Sequence, residues 1–293
     1  MSARTIRACG RPASLEAAQG YGPRMPIRID RPGDHPHVAL VTIDRPHKAN
    51  SLDPATLREL AAAWREVGAD PDVRAVVLTG AGERVFCSGM DLVETIPVAQ
   101  ALARGETIEP DAFEGLRSVG TATLAAFDLG KPLVAAVNGH CRGGGFDLML
   151  ASEMRVAVPE ATFALEEVAL GLFPTGHAAV MLPRQVAWVH AHEILLTARP
   201  FAAARALEIG LVNRVVERAK LMDTAFELAD AVAANAPLAV AATRSGVREM
   251  LHLSLAEAYR RQEELGRPLR RTEDAREAQR AFVEKRKPVW KGR

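Results

Sequence analysis

The chain has 293 residues, 48% of them hydrophobic, enough to bury the core of one large globular domain or two small ones. Lys and Arg total 37 against 36 Asp and Glu, with 5% aromatics; a phosphate-backbone footprint and a base-stacking surface are both missing, so nucleic acid is not an expected partner. No apolar run approaches the ~18 residues of a membrane span, the start lacks a secretory apolar segment, and Cys9, Cys87 and Cys141 form neither a disulfide framework nor a CxxC pair, which together point to a cytoplasmic protein with reduced thiols and no membrane contact.

Residues 1–24 hold four arginines and one acid without a sustained apolar period, the composition of a poorly ordered tail. Met25 is an alternative start, and a transit peptide a weaker reading of the same segment. His37–Asp44, HVALVTID, alternates as a half-buried strand does. After HKANSLD, the segment Pro54–Val67 puts Leu57, Leu60, Ala61, Trp64 and Val67 on one helical face, with Pro54 in the first turn. Arg74–Thr79 reads as a buried strand and Gly80–Glu83 as a turn. VFCSGMDL follows.

The weakly periodic segment 97–116 reads as a variable connection or mobile helix able to cover a pocket, and Phe113–Phe127 as a helix. Leu133–Val137 is an apolar strand that ends at Asn138-Gly139, and Gly143, Gly144 and Gly145 then lead into FDLMLA at helical spacing. Glycines in such a strand-to-helix turn let backbone approach a ligand, and the first amides of the helix are unpaired. Asp147, on that first turn, either complements the helix dipole or serves a site. Met154–Val158 and Thr162–Leu165 read as strands, and EEVALGLFPTGH as a loop.

From residue 178 on the pattern is almost wholly helical: Ala178–Val186, Ala191–Leu196, Ala202–Ile209, Met222–Ala234, Leu238–Leu251, Leu255–Leu265 and Glu273–Lys285, punctuated by Pro200, Gly210, Pro237 and Pro268. Only Leu211–Val216 interrupts it. The chain shows no internal repeat. His190-x-His192 has no third ligand at a metal spacing and reads as a pair on a helix surface, so no metal is expected.

IDRPHKANSL, FCSGMDL, AAVNGHCRGGGFDLMLASEMRVA, ATFALEEVALGL with a nearby PTG, LTARPFAAARALEIGLVNRVV and AFVEKRKP occur in that order across residues 26 to 290. In this the chain resembles the crotonase, or enoyl-CoA hydratase/isomerase, family. The resemblance implies an α/β fold, a spiral of ββα units over 25–200, followed by a helical region over 201–293 that assembles homotrimers or dimers of trimers. It also implies an acyl-CoA thioester substrate, with coenzyme A part of the substrate and no separate cofactor.

By residue matching, the resemblance implies an oxyanion hole made of the backbone N–H groups of Met90 and Gly144, which would stabilise an enolate by several kcal/mol. Glu167 matches the second of the two glutamates used by hydratases of the family, with Glu166 as its neighbour. Asp147 matches the first, and is the main departure. A carboxylate retracted by about 1–1.5 Å sits on the scale where misplacement reduces rates about a hundredfold, so hydration survives only if the loop compensates. Isomerase relatives need a single carboxylate and would tolerate the change. Dienoyl-CoA isomerases carry aspartate there but also a further acid where this chain has Thr175. His177 stands where glycine is common, implying a narrower or more polar acyl pocket, and also reads as an ordinary surface or core histidine. Lys48, Ala49, Asp91 and Leu92 match CoA contacts, and Phe282 and Lys285 match residues that reach a neighbouring subunit's CoA. The expected activity is an enoyl-CoA hydratase-type hydro-lyase. An enoyl-CoA isomerase or other crotonase-type lyase is the alternative, and a catalytically weak acyl-CoA-binding paralogue a further one.

Overall fold

The computed structural model describes residues 25–293; the expectations for residues 1–24, Cys9 among them, lie outside the described residues. The chain opens with strands β1 (Ile27–Asp30) and β2 (Val38–Ile43), an antiparallel pair in which Ile27 faces Ile43. Helix α1 (Pro54–Ala69) starts where the sequence predicts, for two reasons. The Asp53 carboxylate accepts the Thr56 N–H at 2.7 Å, and Pro54 at the first position has no N–H to leave unpaired. Leu57, Leu60, Ala61, Trp64 and Val67 form its buried face, and the Trp64 indole N–H is satisfied by the Ala122 carbonyl at 2.8 Å.

Strands β3 (Ala75–Gly80) and β4 (Val85–Cys87) come next, then three short helices, α2 (Thr95–Ala103), α3 (Pro110–Arg117) and α4 (Val119–Ala122). The single helix expected over 113–127 is therefore two pieces that meet at Ser118. Helix α3 crosses the start of α1 through Gly115, where a Cβ would overlap the Pro54 ring. Strands β5 (Leu133–Val137) and β6 (His140–Arg142) lead into α5 (Gly144–Ala151), and β7 (Met154–Ala157) and β8 (Thr162–Ala164) into a 3-10 turn at Glu167–Leu170.

The remainder is α6 (Ala178–Gln185), α7 (Trp188–Thr197), β9 (Phe201–Ala202), α8 (Ala203–Glu208), β10 (Arg214–Val215), α9 (Leu221–Ala233), α10 (Pro237–Met250), α11 (Leu255–Leu269) and α12 (Glu273–Val283). Pro268 does not end α11 as expected. It lies in the last turn, and the helix runs one residue past it.

The strands make two sheets, one ordered β1-β2-β3-β5-β7-β10 and the other β4-β6-β8-β9. Chain order explains the split. Each of β3, β5 and β7 lies in the large sheet and is followed after a tight turn by a strand of the small one, β4, β6 or β8, and then by helix. Three successive ββα units result, a repetition of topology with no trace as repeated sequence. Pairing within both runs is parallel, and β3 and β5 are buried along their whole length, which is why both read as continuous apolar runs. Helix α9 packs across β2, β3, β5 and β7 on one face.

Two asparagines pin the turns between sheets. The Asn138 side-chain NH2 donates to the carbonyls of Gly80 (2.8 Å) and Gly82 (2.7 Å), and that of Asn50 to Val85 (2.7 Å) and Ala81 (3.0 Å).

Candidate active site

Three neighbouring parallel strands place the site. In the small sheet β4, β6 and β8 lie side by side, so the residues just past their carboxyl ends, Met90, Gly144 and Glu167, converge although they are far apart in sequence. Helix α5 is the element that makes Gly144 useful. It is held on the small sheet by Phe146, whose ring meets those of Phe163 and Phe201 at centroid distances of 6.3 and 6.4 Å. Its far end is fastened by buried Arg155, which donates to the carbonyls of Met149 (2.8 Å) and Leu150 (3.1 Å), groups past the reach of the helix's own i+4 amides that Ser152 and Gln185 also bond.

The three glycines of this turn have three different reasons. Gly143 has φ +44, a left-handed conformation. Gly145 is pressed against the Cys87 carbonyl and Cβ, so any side chain there would lift α5 off β4. Gly144 heads the helix, and a Cβ on it would lie 3.2 Å from Met90 Cε. Gly89, with φ +89, supplies the opposing surface; a Cβ there would come within 3.0 Å of the Gly144 nitrogen. The Gly89 and Gly144 backbones thus approach closely because glycine stands on both sides of the contact, which brings Met90, the residue after Gly89, beside Gly144.

Among the described residues neither amide has an acceptor. Leu52 bridges Met90 in parallel fashion through Leu52 N–H to Gly89 O (2.8 Å) and Asp91 N–H to Leu52 O (3.1 Å). These bonds straddle Met90 and leave its own N–H outside the bridge. The Gly144 N–H belongs to the first turn of α5, where intrahelical acceptors do not exist.

The two carboxyl groups stand in different environments. Glu167 is half-buried, with Oε2 inaccessible to solvent and without a hydrogen-bond partner; burial raises its pKa, its own backbone N–H lowers it, and Glu166 raises it further. Glu166 itself points outward, 3.8 Å from the Arg142 guanidinium. Asp147 is buried, and its Oδ1 accepts the Ala178 N–H at 2.8 Å. Burial chiefly, and Glu167 in lesser part, push its pKa up to about 7 against the pull of the Ala178 and His177 amides. Asp147 therefore does cap backbone amides, but those at the start of α6, not of its own helix. His177, in that same turn, has its Nε2 buried without a partner, and burial holds its pKa down.

The expected CoA contacts are spread out. Lys48 is exposed and Ala49 half-exposed, in a loop with left-handed φ of 54° at Ala49. Leu92 is exposed. Asp91 is buried, and its carboxylate is occupied by protein donors: Arg45 (2.8 Å) and Ser51 (2.9 Å) on Oδ2, the amides of Val93 (2.9 Å) and Glu94 (3.0 Å) on Oδ1. Arg45 is itself buried and also pairs with Asp53 at 2.8 Å and Glu94 at 3.3 Å. Sequence reasoning named Asp91 without its partners, and quoted Gly176 only as the glycine of PTG, without its contact with the Asp147 carboxylate. Phe282 and Lys285 are exposed at the end of α12.

Among the described residues no group of three or more His, Cys, Asp or Glu could hold a metal ion. His190 faces Arg205 at 3.1 Å, and the His192 Nδ1 lies 2.9 Å from the Trp188 carbonyl. A cavity of about 560 Å³ lies at the carboxyl ends of β2 and β3 between Arg28 and Arg218, and none of the expected site residues lines it. Among the described residues no single helix is long and apolar enough to cross a membrane.

The sequence profile described as enoyl-CoA hydratase/isomerase matches residues 34–293. The chain is 42% identical over 261 residues to the carnitinyl-CoA dehydratase of Proteus mirabilis (strain HI4320), covering 87% of this chain and 95% of that one. To the carnitinyl-CoA dehydratase of Citrobacter koseri it is 39% identical over 267 residues, 88% and 97% of the two chains. Among solved structures, enoyl-CoA hydratase from Bacillus anthracis superposes with a TM-score of 0.82 at 32% identity, and enoyl-CoA hydratase from Mycobacterium tuberculosis H37Rv with 0.78 at 32%, each over 92% of this chain and 100% of that one. Sequence and fold together make this chain a member of the enoyl-CoA hydratase/isomerase family, within the crotonase superfamily.

Proposed function

We propose that the protein is a hydro-lyase that adds water to, or removes it from, an acyl-CoA thioester. The observation that carries this reading is the pair of unused amides, Met90 and Gly144, beside a half-buried glutamate whose Oε2 has no partner. In the dehydration direction Glu167 takes the proton from C2, and the electron pair moves onto the thioester oxygen as an enolate held by the two N–H groups. As the C2–C3 double bond forms, the C3–O bond breaks and the leaving hydroxide takes a proton from Asp147. Hydration is the reverse. Charge appears on the thioester oxygen only in the transition state and intermediate, which is where preorganised donors lower the barrier. A carboxyl with pKa near 7 can hold or release the proton at the working pH.

This reading needs no cofactor beyond the CoA of the substrate. Lys48, Ala49 and Leu92 border the CoA, Asp91 fixes the Met90 turn beside it, and Phe282 and Lys285 reach the CoA of a neighbouring subunit in a homotrimer or a dimer of trimers. A cytoplasmic setting, where acyl-CoA thioesters and reduced thiols coexist, completes it. The relatives named as carnitinyl-CoA dehydratases support the dehydratase direction, and place a polar, 3-hydroxylated acyl group beside crotonyl-CoA in the substrate panel.

The test is the loss of enoyl absorbance on incubation with crotonyl-CoA, and its gain with carnitinyl-CoA. Glu167→Gln is expected to reduce turnover by at least about a thousandfold, and a variant that turns over normally would refute the mechanism. One observation favours a second reading. The Asp147 carboxylate is already engaged by the turn at 177–178, which leaves Glu167 as the one carboxyl free to move protons and suits an enoyl-CoA isomerase. That reading predicts double-bond migration with a 3-enoyl-CoA and no hydration.

A further inference from the structure

Gly176 is the glycine of the site that lies directly against a carboxylate. A Cβ on it would overlap Oδ2 and Cγ of Asp147, yet its φ is not in the left-handed region. Conformation would allow a side chain there, but the space it would need is filled by the Asp147 carboxylate. Two residues later the Ala178 N–H donates to Asp147 Oδ1 at 2.8 Å, so the main chain of 176–178 wraps one carboxylate, with contact at Gly176 and a hydrogen bond at Ala178. We propose that Gly176 is a positioning residue for Asp147: its missing side chain lets the turn before α6 close on the carboxylate, and this closure aims a short acid that has no length of its own to spare.

The groups facing Asp147 are Glu167 from the 3-10 turn, Cys87 from β4, Cys141 from β6 and His177 from the turn itself. Burial and Glu167 favour the neutral carboxyl, and the Ala178 and His177 amides favour the anion. A side chain at 176 pushes the turn away, weakens those amide bonds and leaves burial unopposed. The carboxyl of Asp147 then titrates at higher pH. A purely structural glycine would alter stability without moving that titration.

The inference rests on the acid role given to Asp147 above, and the experiment separates the two. The carboxyl titration is followed by carbon-13 NMR on the intact protein, with the Asp147 signal assigned by its loss in Asp147→Asn. Gly176→Ala is expected to raise the midpoint by about one pH unit or more; an unchanged or lower midpoint overturns the proposal. The pH profile of turnover with crotonyl-CoA should shift with it. If the midpoint moves and the profile does not, positioning stands and the acid role of Asp147 falls. Where Gly176→Ala melts too low to titrate, the double variant with Asp147→Ala decides, because truncating the aspartate frees the volume that the new Cβ needs. Recovery of the melting temperature by several degrees supports direct contact, and equal destabilisation in both backgrounds overturns it.

Discussion

Asp147 shows how a single position changes meaning once its surroundings are known. A carboxyl pushed up to about 7 in the folded chain binds its proton more tightly folded than unfolded. Its favourable contribution is complete below the ordinary carboxylate range and is lost as pH rises through about 7. Asp147→Asn keeps an oxygen for the Ala178 N–H but cannot ionise. Urea unfolding at about pH 5 and about pH 8 is therefore expected to show a smaller drop for the variant than for the parent, by about 2–4 kcal/mol given the size of the shift. An identical drop in both proteins would mean that Asp147 is not the group responsible. Gly145→Ala is expected to cost about 1–3 kcal/mol, since its Cβ meets the Cys87 carbonyl, and thermal melts would show it. For Gly144, where only the Met90 Cε tip is in the way, the same change should affect turnover more than melting temperature.

Elements here are tied by buried charge as much as by apolar contact. Arg45, just past β2, holds Asp53 at the start of α1, Asp91 beside Met90 and Glu94 before α2. The same Asp91 carboxylate receives Ser51 and two amides, and the guanidinium keeps it well below the usual carboxylate range in spite of burial. The clamp joins the loop carrying Lys48 to the turn carrying Met90. Arg45→Met is expected to destabilise the fold by about 3–5 kcal/mol, because two buried carboxylates lose their partner, with the midpoint in urea as the measure. Arg45→Lys retains the charge without the fork that spans three acids, and should lower kcat more than it raises KM.

At the scale of the whole molecule, the helical end leaves apolar surface uncovered. Helix α11 has no buried residue, and Leu251, Leu255, Tyr259 and Phe282 are all exposed. With α12 pinned by Asp274, which accepts the Lys291 and Gly292 amides at 2.7 and 3.0 Å, this is an ordered surface of the kind that oligomers bury. Light scattering is expected to give three or six times 31.5 kDa, and Leu255→Glu with Tyr259→Glu to shift the mass toward one copy. A fully active monomer would contradict any sharing of Phe282 and Lys285 between subunits.

What could be read from residues alone follows from length and period. β2, β3, β5 and α1 announce themselves because alternation, a buried run or an apolar face persists long enough to be counted, and Asp53-Pro54 marks a helix start through local hydrogen bonding. Strands β1, β6, β9 and β10 run two to four residues, too few for a period, and exist only because a neighbouring strand pairs with them. Residue matching picked out Met90, Gly144, Asp147 and Glu167. Their convergence, the unused state of the two amides and the contact of Asp147 with Gly176 depend on the order β4-β6-β8 and on the closure of a turn remote in sequence. The sequence by itself determined the local elements and the chemical types available to the site. The tertiary structure alone decided which amides stay free and which carboxyl is captured, because both depend on distances between segments that no local pattern encodes.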